Sequence, residues 1–580
     1  MFFRIPGIYL SYFPVPRKPF VPPAPRCSVA VILLGGLLLL AGCNRFYFAH
    51  ERWVEQFPHA APQGVAGSAL ANTTPPPQWA PVRPLINWWA QQPLANWQQH
   101  GKVRAGRQLA ARLAMGQPAA TDSVNRYLQN AQPYGRPGTK WLLNPNGDYD
   151  FAEITLAWLL TYPPLANRLA PATRQHIAQR LLVEEPDEVH LKAPRSRGLM
   201  YETENHVLMR EISRHLRMQF LLHSDRKPGF SRADWLQHTH VLHEALDELL
   251  RTGGYEFNAN PYVGYTLTAL LVLHDGTRLP RLRQKARECL DFLLENAAYG
   301  CRGANFAGPF RRRKARARTP ELSNHPVPMV LTTLWAKHTG EVLALAELPH
   351  CRHHSLIAAL SSYRPAAPVW KAWQHPPEGM VRIGHGPHSS PGIYTHGRGW
   401  ILAAGGAWQG AVKQVVPRPT LLLLRGQPTH RDSTLHLPLP AKHLRVNYTG
   451  VWGRWAVGPR PFYVPPHYRL LEENPTEEGG TWQLYTADAD SGRVYVAVYR
   501  HLQCGIVRVF KAAHPRQARR RFSALAAANA APATTHSLHW GQGQSLGFAL
   551  DAAKHLWVFT HHNGRPLQRD FYHWPVQPQR

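Results

Sequence analysis

Tyr201-Glu-Thr-Glu-Asn-His-Val-Leu-Met-Arg-Glu-Ile-Ser-Arg-His-Leu-Arg-Met-Gln-Phe220 reads as a polar lead-in followed by the body of a helix. At about 100° per residue, Leu208, Met209, Ile212, Leu216 and Phe220 gather on one side and form a core stripe. Asn205 points toward the same side, whereas His206, Arg210, Ser213 and Arg217 form the flank beside it. A helix of this kind must bury its stripe against other helices, so the fold follows from what surrounds it.

Working outward, apolar residues recur at helical spacing over residues 86–115, 151–162, 171–183, 205–223, 233–252, 261–274, 279–297, 326–338 and 341–360. No repeat of fixed period links them, so a solenoid is not expected. From about residue 375 the pattern changes to short runs rich in β-branched and aromatic residues, broken by Gly and Pro. Examples are Trp400–Ala404, Leu421–Leu424, Val451–Val457, Trp482–Tyr485, Val494–Tyr499, Ile506–Phe510 and Leu556–Thr560. Helices first and strands second predict an α+β multidomain chain: a helical domain over 85–370 and an antiparallel β-sandwich over 371–580.

The N-terminus gives an address. Arg4, Arg17, Lys18 and Arg26 precede an apolar run from Val29 to Leu40, with no acidic residue before Glu51. The run is short for a membrane span and fits an export signal. It ends in Leu40-Ala-Gly-Cys43, which resembles the bacterial lipoprotein signal. That resemblance implies removal of residues 1–42, a palmitate-type lipid on Cys43, and anchorage in the bacterial cell envelope, at the periplasmic or surface face of the outer membrane. Residues 43–84, with Pro75-Pro-Pro77 inside them, read as a tether. An oxidising compartment permits a disulfide, and Cys289 with Cys301 is the closest pair in sequence. The formal net charge of +30 suits nucleic acid, anionic lipid or acidic glycan, and the envelope address disfavours nucleic acid.

A second polar segment, Tyr255-Glu-Phe-Asn-Ala-Asn-Pro-Tyr262, lies about fifty residues beyond the first. Gly253-Gly254 stops the preceding helix, Asn260 is a plausible N-cap and Pro261 suits a first turn. Tyr262 and Tyr265 then share a face. Glu204, Tyr201, Glu256 and Asn258 complete the polar set at the two helix starts. The bland reading is a solvated basic face beside His206 and a core Tyr at 262. Asn146-Gly-Asp-Tyr-Asp150 supplies ordinary turn and cap residues, with Asp150 also a cleft carboxylate candidate. Arg311-Arg312-Arg313 open a run in which six of eight residues are basic, suited to an exposed loop, anionic lipid or acidic sugar. His385, His388 and His396 sit near the domain junction. No C-x-x-C, H-E-x-x-H or Walker A motif is present, so no metal and no cofactor is expected.

A helical domain followed by a β-sandwich, behind an export signal, resembles the polysaccharide lyases of the alginate-lyase and heparinase II/III type. The resemblance implies an α/α toroid, often incomplete, before the sandwich, and an acidic polysaccharide as substrate. It implies β-elimination, with Asn205 and Arg210 neutralising the uronate carboxylate, His206 as base and Tyr262 as acid. Tyr201, Glu204, Glu256, Asn258 and Arg311–Arg313 would then contact substrate. Two alternatives stand beside it: a glycoside hydrolase using paired carboxylates among Asp150, Glu202, Glu204 and Glu256, and a glycan-binding or scaffolding lipoprotein with no catalysis.

Overall fold

The computed structural model describes residues 76–97, 103–133, 148–182, 203–224, 229–254, 256–311, 321–350, 352–385, 391–405, 415–416, 420–426, 430–438, 449–490, 492–541, 543–551, 556–568 and 574–579. It is mixed α and β with antiparallel sheets. The helices are α1 (Arg83–Gln91), α2 (Arg104–Met115), α3 (Pro118–Asn130), α4 (Asp150–Thr161), α5 (Pro171–His176), α6 (Glu204–Leu222), α7 (Arg232–Thr252), α8 (Tyr262–Gly276), α9 (Pro280–Ala298), α10 (Pro326–Thr339), α11 (Arg352–Leu360) and α12 (Ala367–Gln374). Their ends carry the expected signals. Ser231 and Asp234 form a capping box at the start of α7, and Gly253, at φ 74°, ends it in the left-handed region.

Helix α8 is the hub. It is apolar nearly all round and packs on α4, α6, α9, α10 and α11. Its first turn is tight: a Cβ at Gly264 would stand 2.5 Å from the His354 ring of α11. Helices α2, α4, α6, α8 and α11 meet through their first turns. Arg107 of α2 bonds Thr155 Oγ1 of α4 and donates through Nε to the His353 carbonyl at 3.0 Å. Phe151 of α4 meets His206 of α6 and Tyr265 of α8 edge-on, at 5.1 and 4.4 Å between centroids. Five helix N-termini therefore lie at one end of the bundle.

The hairpin β1 (Cys301–Arg302) to β2 (Asn305–Phe306) follows α9, and β3 (Phe310–Arg311) follows it. Strands β4 (Gly379–Ile383), β5 (Gly392–Gly397), β6 (Trp400–Gly405), β8 (Leu421–Leu424) and β9 (Leu435–His436) form a five-stranded sheet in that order. The short β7 (Val415–Val416) pairs with β3 instead. A six-stranded sheet runs β10 (Val451–Trp452), β11 (Trp455–Gly458), β15 (Cys504–Phe510), β14 (Gly492–His501), β13 (Thr481–Ala489) and β12 (Arg469–Pro475). Helix α13 (Pro515–Ala528) precedes a last sheet of β16 (Ser537–Trp540), β17 (Gln544–Asp551), β18 (Leu556–His562) and β19 (Arg565–Pro566).

Strand alternation stacks these elements in layers. On β6, Ile401 and Ala403 join the helical core, while Trp400, Leu402 and Ala404 face the six-stranded sheet. On β14, Val494, Val496 and Val498 close that same inter-sheet core. Tyr495, Ala497 and Tyr499 face the other way, onto Phe522 of α13 and Phe559 of β18. The central strands of both large sheets are thus covered on both faces, which is why they read as largely apolar runs.

Several sequence expectations need correction. Packing begins before residue 85: Trp79 is buried and its indole donates to the Leu360 carbonyl at 2.9 Å. Residues 86–115 hold two helices, α1 and α2, and α3 follows without having been anticipated. Over 341–360 only Arg352–Leu360 is α-helical, because Leu345–Glu347 forms a 3-10 turn. Helix α13 interrupts a region expected to be all strand. Cys289 and Cys301 are both free, buried thiols. The export signal, Cys43 and the Pro-rich centre of the tether lie outside the described residues.

The hub position of α8 predicts that Leu270→Ala, at a fully buried site, costs about 2–5 kcal/mol in chemical denaturation. Leu502→Ala, at a side chain 90% exposed, should shift stability by no more than about 0.5 kcal/mol.

Candidate functional site

The two polar segments are joined by a buried staple. Glu204 opens α6, and its Oε1 accepts the backbone N–H of Glu256 at 2.6 Å. Asn205, fully buried, donates its side-chain amide to Glu256 Oε2 and accepts from the Thr203 hydroxyl at 3.2 Å. Gly254, at φ 79°, is required on two counts: the backbone conformation, and a Cβ there would lie 2.9 Å from Glu204 Oε1. Burial, reinforced by the neighbouring Glu256 carboxylate, pushes the Glu204 carboxyl up to about 7. Its Oε2 is buried with no hydrogen-bond partner.

One residue further on, His206 turns outward. Its Nδ1 lies 2.8 Å from Asp150 Oδ2, at the first residue of α4, and both side chains keep about a tenth of their surface exposed, at 11% and 12%. Phe151 packs edge-on against the imidazole and holds it between α4 and α6. Phe151 in turn packs on Tyr265, three residues beyond Tyr262 on the same helix. Tyr262 is half-buried at the start of α8. Arg210, one turn past His206, is held by the neighbouring Glu211, with Nη2 2.7 Å from Oε1.

The loop between α7 and α8 is fixed from three sides. Phe257 stacks on His385, which follows β4, at 3.9 Å and 4°. Asn258 adopts φ 50°, its carbonyl is bonded to His325 Nε2 at 2.9 Å, and its amide reaches the Pro309 carbonyl at 3.4 Å. Asn260 donates to the Asn324 carbonyl, next to the cap of α10. A sixth helix N-terminus, that of α10, is thereby drawn to the same end. Parallel helix dipoles ending together favour negative charge there. Burial keeps His353 and His354 neutral, the first pushed down to about 3 with the Arg107 cation adding to the shift.

Of the residues expected at the site, Glu204, Asn205, His206, Glu256 and Asn258 are brought together, with Tyr262 at the start of the adjoining helix. Asn205 and Glu256 are interior and bonded to each other, so they hold the loop and do not line open space. Tyr201, Arg312 and Arg313 lie outside the described residues, as does the side chain of Arg311, whose backbone pairs with Val415. Sequence reasoning did not single out Phe151, Arg107, His325, His353 or His354. A His before Pro326 and the His353-His354 pair were the only local hints, and both needed the long-range packing to acquire meaning. Among the described residues no group of three His, Cys, Asp or Glu is gathered as a metal would require.

No protein-family model, no curated protein and no solved structure matches the chain. The chemistry therefore has to be argued from the site itself. Glu204 gives a direct check on its electrostatics. Its raised carboxyl binds a proton more tightly folded than unfolded. The stability it confers is complete below the ordinary glutamate range and is lost as pH rises through about 7. Glu204→Gln keeps the carbonyl acceptor and removes the titration. Denaturation midpoints measured from pH 5 to pH 8 should fall less steeply for Glu204→Gln than for the parent; parallel curves would contradict the assignment.

Proposed function

We propose that the chain is an envelope-anchored lipoprotein that cleaves an acidic polysaccharide by β-elimination, on an α/α toroid joined to a β-sandwich. Support for the toroid comes from the packing of α2 on α4, α4 on α6, α6 on α8, α8 on α11 and α11 back on α2. The two large sheets sharing one apolar core support the sandwich.

The observation that carries the reading is the Asp150–His206 pair at the partly open end of the helices. With the imidazole donating Nδ1–H to Asp150, Nε2 is left as an acceptor, the arrangement a general base needs. His206 Nε2 takes the C5 proton of a uronate. The electron pair left at C5 forms the C4–C5 double bond as the C4–O bond breaks, and the Tyr262 phenol gives its proton to the departing oxygen. Solvent then removes the proton from His206 and returns one to Tyr262. The clustered helix N-termini favour the substrate carboxylate during proton abstraction. Asn205 acts through Glu256 as a positioning residue, and Arg210, one turn past His206, supplies positive charge beside it.

The hydrolase alternative is less well supported. It needs two carboxyls about 5–10 Å apart across an accessible bond. Glu204 and Glu256 instead occupy the interior, 4% and 2% exposed.

Alginate, heparin-like and pectic polymers incubated with the full chain distinguish the readings through the ultraviolet absorbance of the unsaturated product. His206→Ala and Tyr262→Phe should each lower the rate by roughly 100-fold or more, and Asp150→Asn by about 10- to 1,000-fold. Product formation that survives both His206→Ala and Tyr262→Phe would remove these residues from the mechanism. Binding without product from any polymer would favour the non-catalytic reading.

A further inference from the structure

A cavity of about 660 Å³ opens where the helices meet the five-stranded sheet. Its walls include Arg302 of the β1–β2 hairpin, Trp335 near the end of α10, Trp373 near the end of α12, Arg398 in the β5–β6 turn and Arg425 after β8. Trp335 lies nine residues past the start of α10, about 14 Å along a helix axis. The cavity is therefore set toward the opposite end of that helix from His325 and the loop at Asn258.

Three guanidinium groups converge on this cavity, and the one carboxylate in its wall is that of Glu347, which is exposed. Arg302 is the most constrained. Its Nη2 donates to His396 Nδ1 at 3.1 Å and to the Trp400 carbonyl at 3.4 Å, while its Nε is buried without a partner. No carboxylate among the described residues forms an ion pair with it. Burial and the nearby Arg425 lower its affinity for the proton, to about 10, yet it remains a cation at neutral pH. A half-buried cation beside a like charge is costly unless an anion joins it. The bond from Arg302 makes His396 Nδ1 the acceptor, so the ring proton resides on Nε2, which is buried and unpartnered. The Trp373 indole N–H is likewise buried without an acceptor. Trp335 and Trp373 give the lining apolar surface, and Trp335 meets both Trp370 and Trp373 edge-on in an aromatic cluster.

Guanidinium groups for an anion, indole surface for a ring, and a volume in the range of small-molecule pockets are the parts of an acidic-sugar site. We propose that this cavity binds one or two pyranose units carrying a carboxylate or sulfate, as a non-catalytic site separate from the His206 cleft. It deepens the acidic-polysaccharide reading by naming where a chain could be held during, or independently of, cleavage.

The test uses the full chain carrying His206→Ala, so that ligand is not consumed, and isothermal titration with a uronate disaccharide, a sulfated disaccharide, a neutral disaccharide and inorganic sulfate. Binding of at least one acidic disaccharide, weakened at least tenfold by Arg398→Gln with Arg425→Gln, is expected. Both arginines are exposed, so the double variant should keep its fold, which its thermal transition checks. Which acidic disaccharide binds identifies the anionic group. Equal binding of the neutral sugar, sulfate binding as tightly as the sugars, or acidic-sugar affinity within twofold in the double variant would overturn the proposal. The double variant in an otherwise unaltered chain separates the two proposals. Loss of product with His206→Ala alone concerns the cleft, and loss of sugar affinity with the arginine pair alone concerns this cavity.

Discussion

The hydrogen bond from the Glu256 backbone to the Glu204 carboxyl is the constraint on which the site depends. It ties the first turn of α6 to a loop about fifty residues later, and it does so where no water can compensate an error. A carboxyl so deeply buried is tolerable because it accepts a backbone N–H and because its charge is suppressed by its surroundings. Asn205 adds the second strut by donating to Glu256. With both struts in place the next residue, His206, has little choice of position, and its partner Asp150 arrives on the neighbouring helix.

That arrangement separates two kinds of polar residue that look alike in sequence. Glu204, Asn205 and Glu256 are interior and serve geometry. His206, Asp150 and Tyr262 are at the margin and retain contact with solvent. The rings of Phe151 and Tyr265 transmit the placement from α6 to α8 by edge-on contact, a packing that fixes angle as well as distance.

The helical stripe on α6 was legible from its sequence because Leu208, Met209, Ile212 and Leu216 carry a strong period, and all four are buried. The strand runs were legible for a related reason: covered on both faces, the central strands are largely apolar, with few polar residues such as Gln483 and Arg508 among them. Helix α13 was not, since its four Arg and many Ala residues bury only Ala518, Phe522 and Leu525, too thin a stripe to stand out. At the site, residue type and helix-start chemistry located Glu204, His206 and Glu256. Helical phase also told Asn205, on the core side, from His206 on the flank; the partners of each, Glu256 and Asp150, are long-range and were not legible. The arginine cavity was hidden for the same reason, because Arg302, Arg398 and Arg425 come together only through three separate turns.

The five-stranded sheet shares one core with the helices and another with the six-stranded sheet, through alternate side chains of the same strands. Ile401 and Leu402 are adjacent in the chain and belong to different cores. A relative movement of the helical and strand regions would therefore have to break apolar packing on a strand that is itself hydrogen-bonded on both sides. Opening of the His206 end is consequently left to side chains and loops. The distance between the helix ends and the sheets is set by that shared packing and not by a hinge.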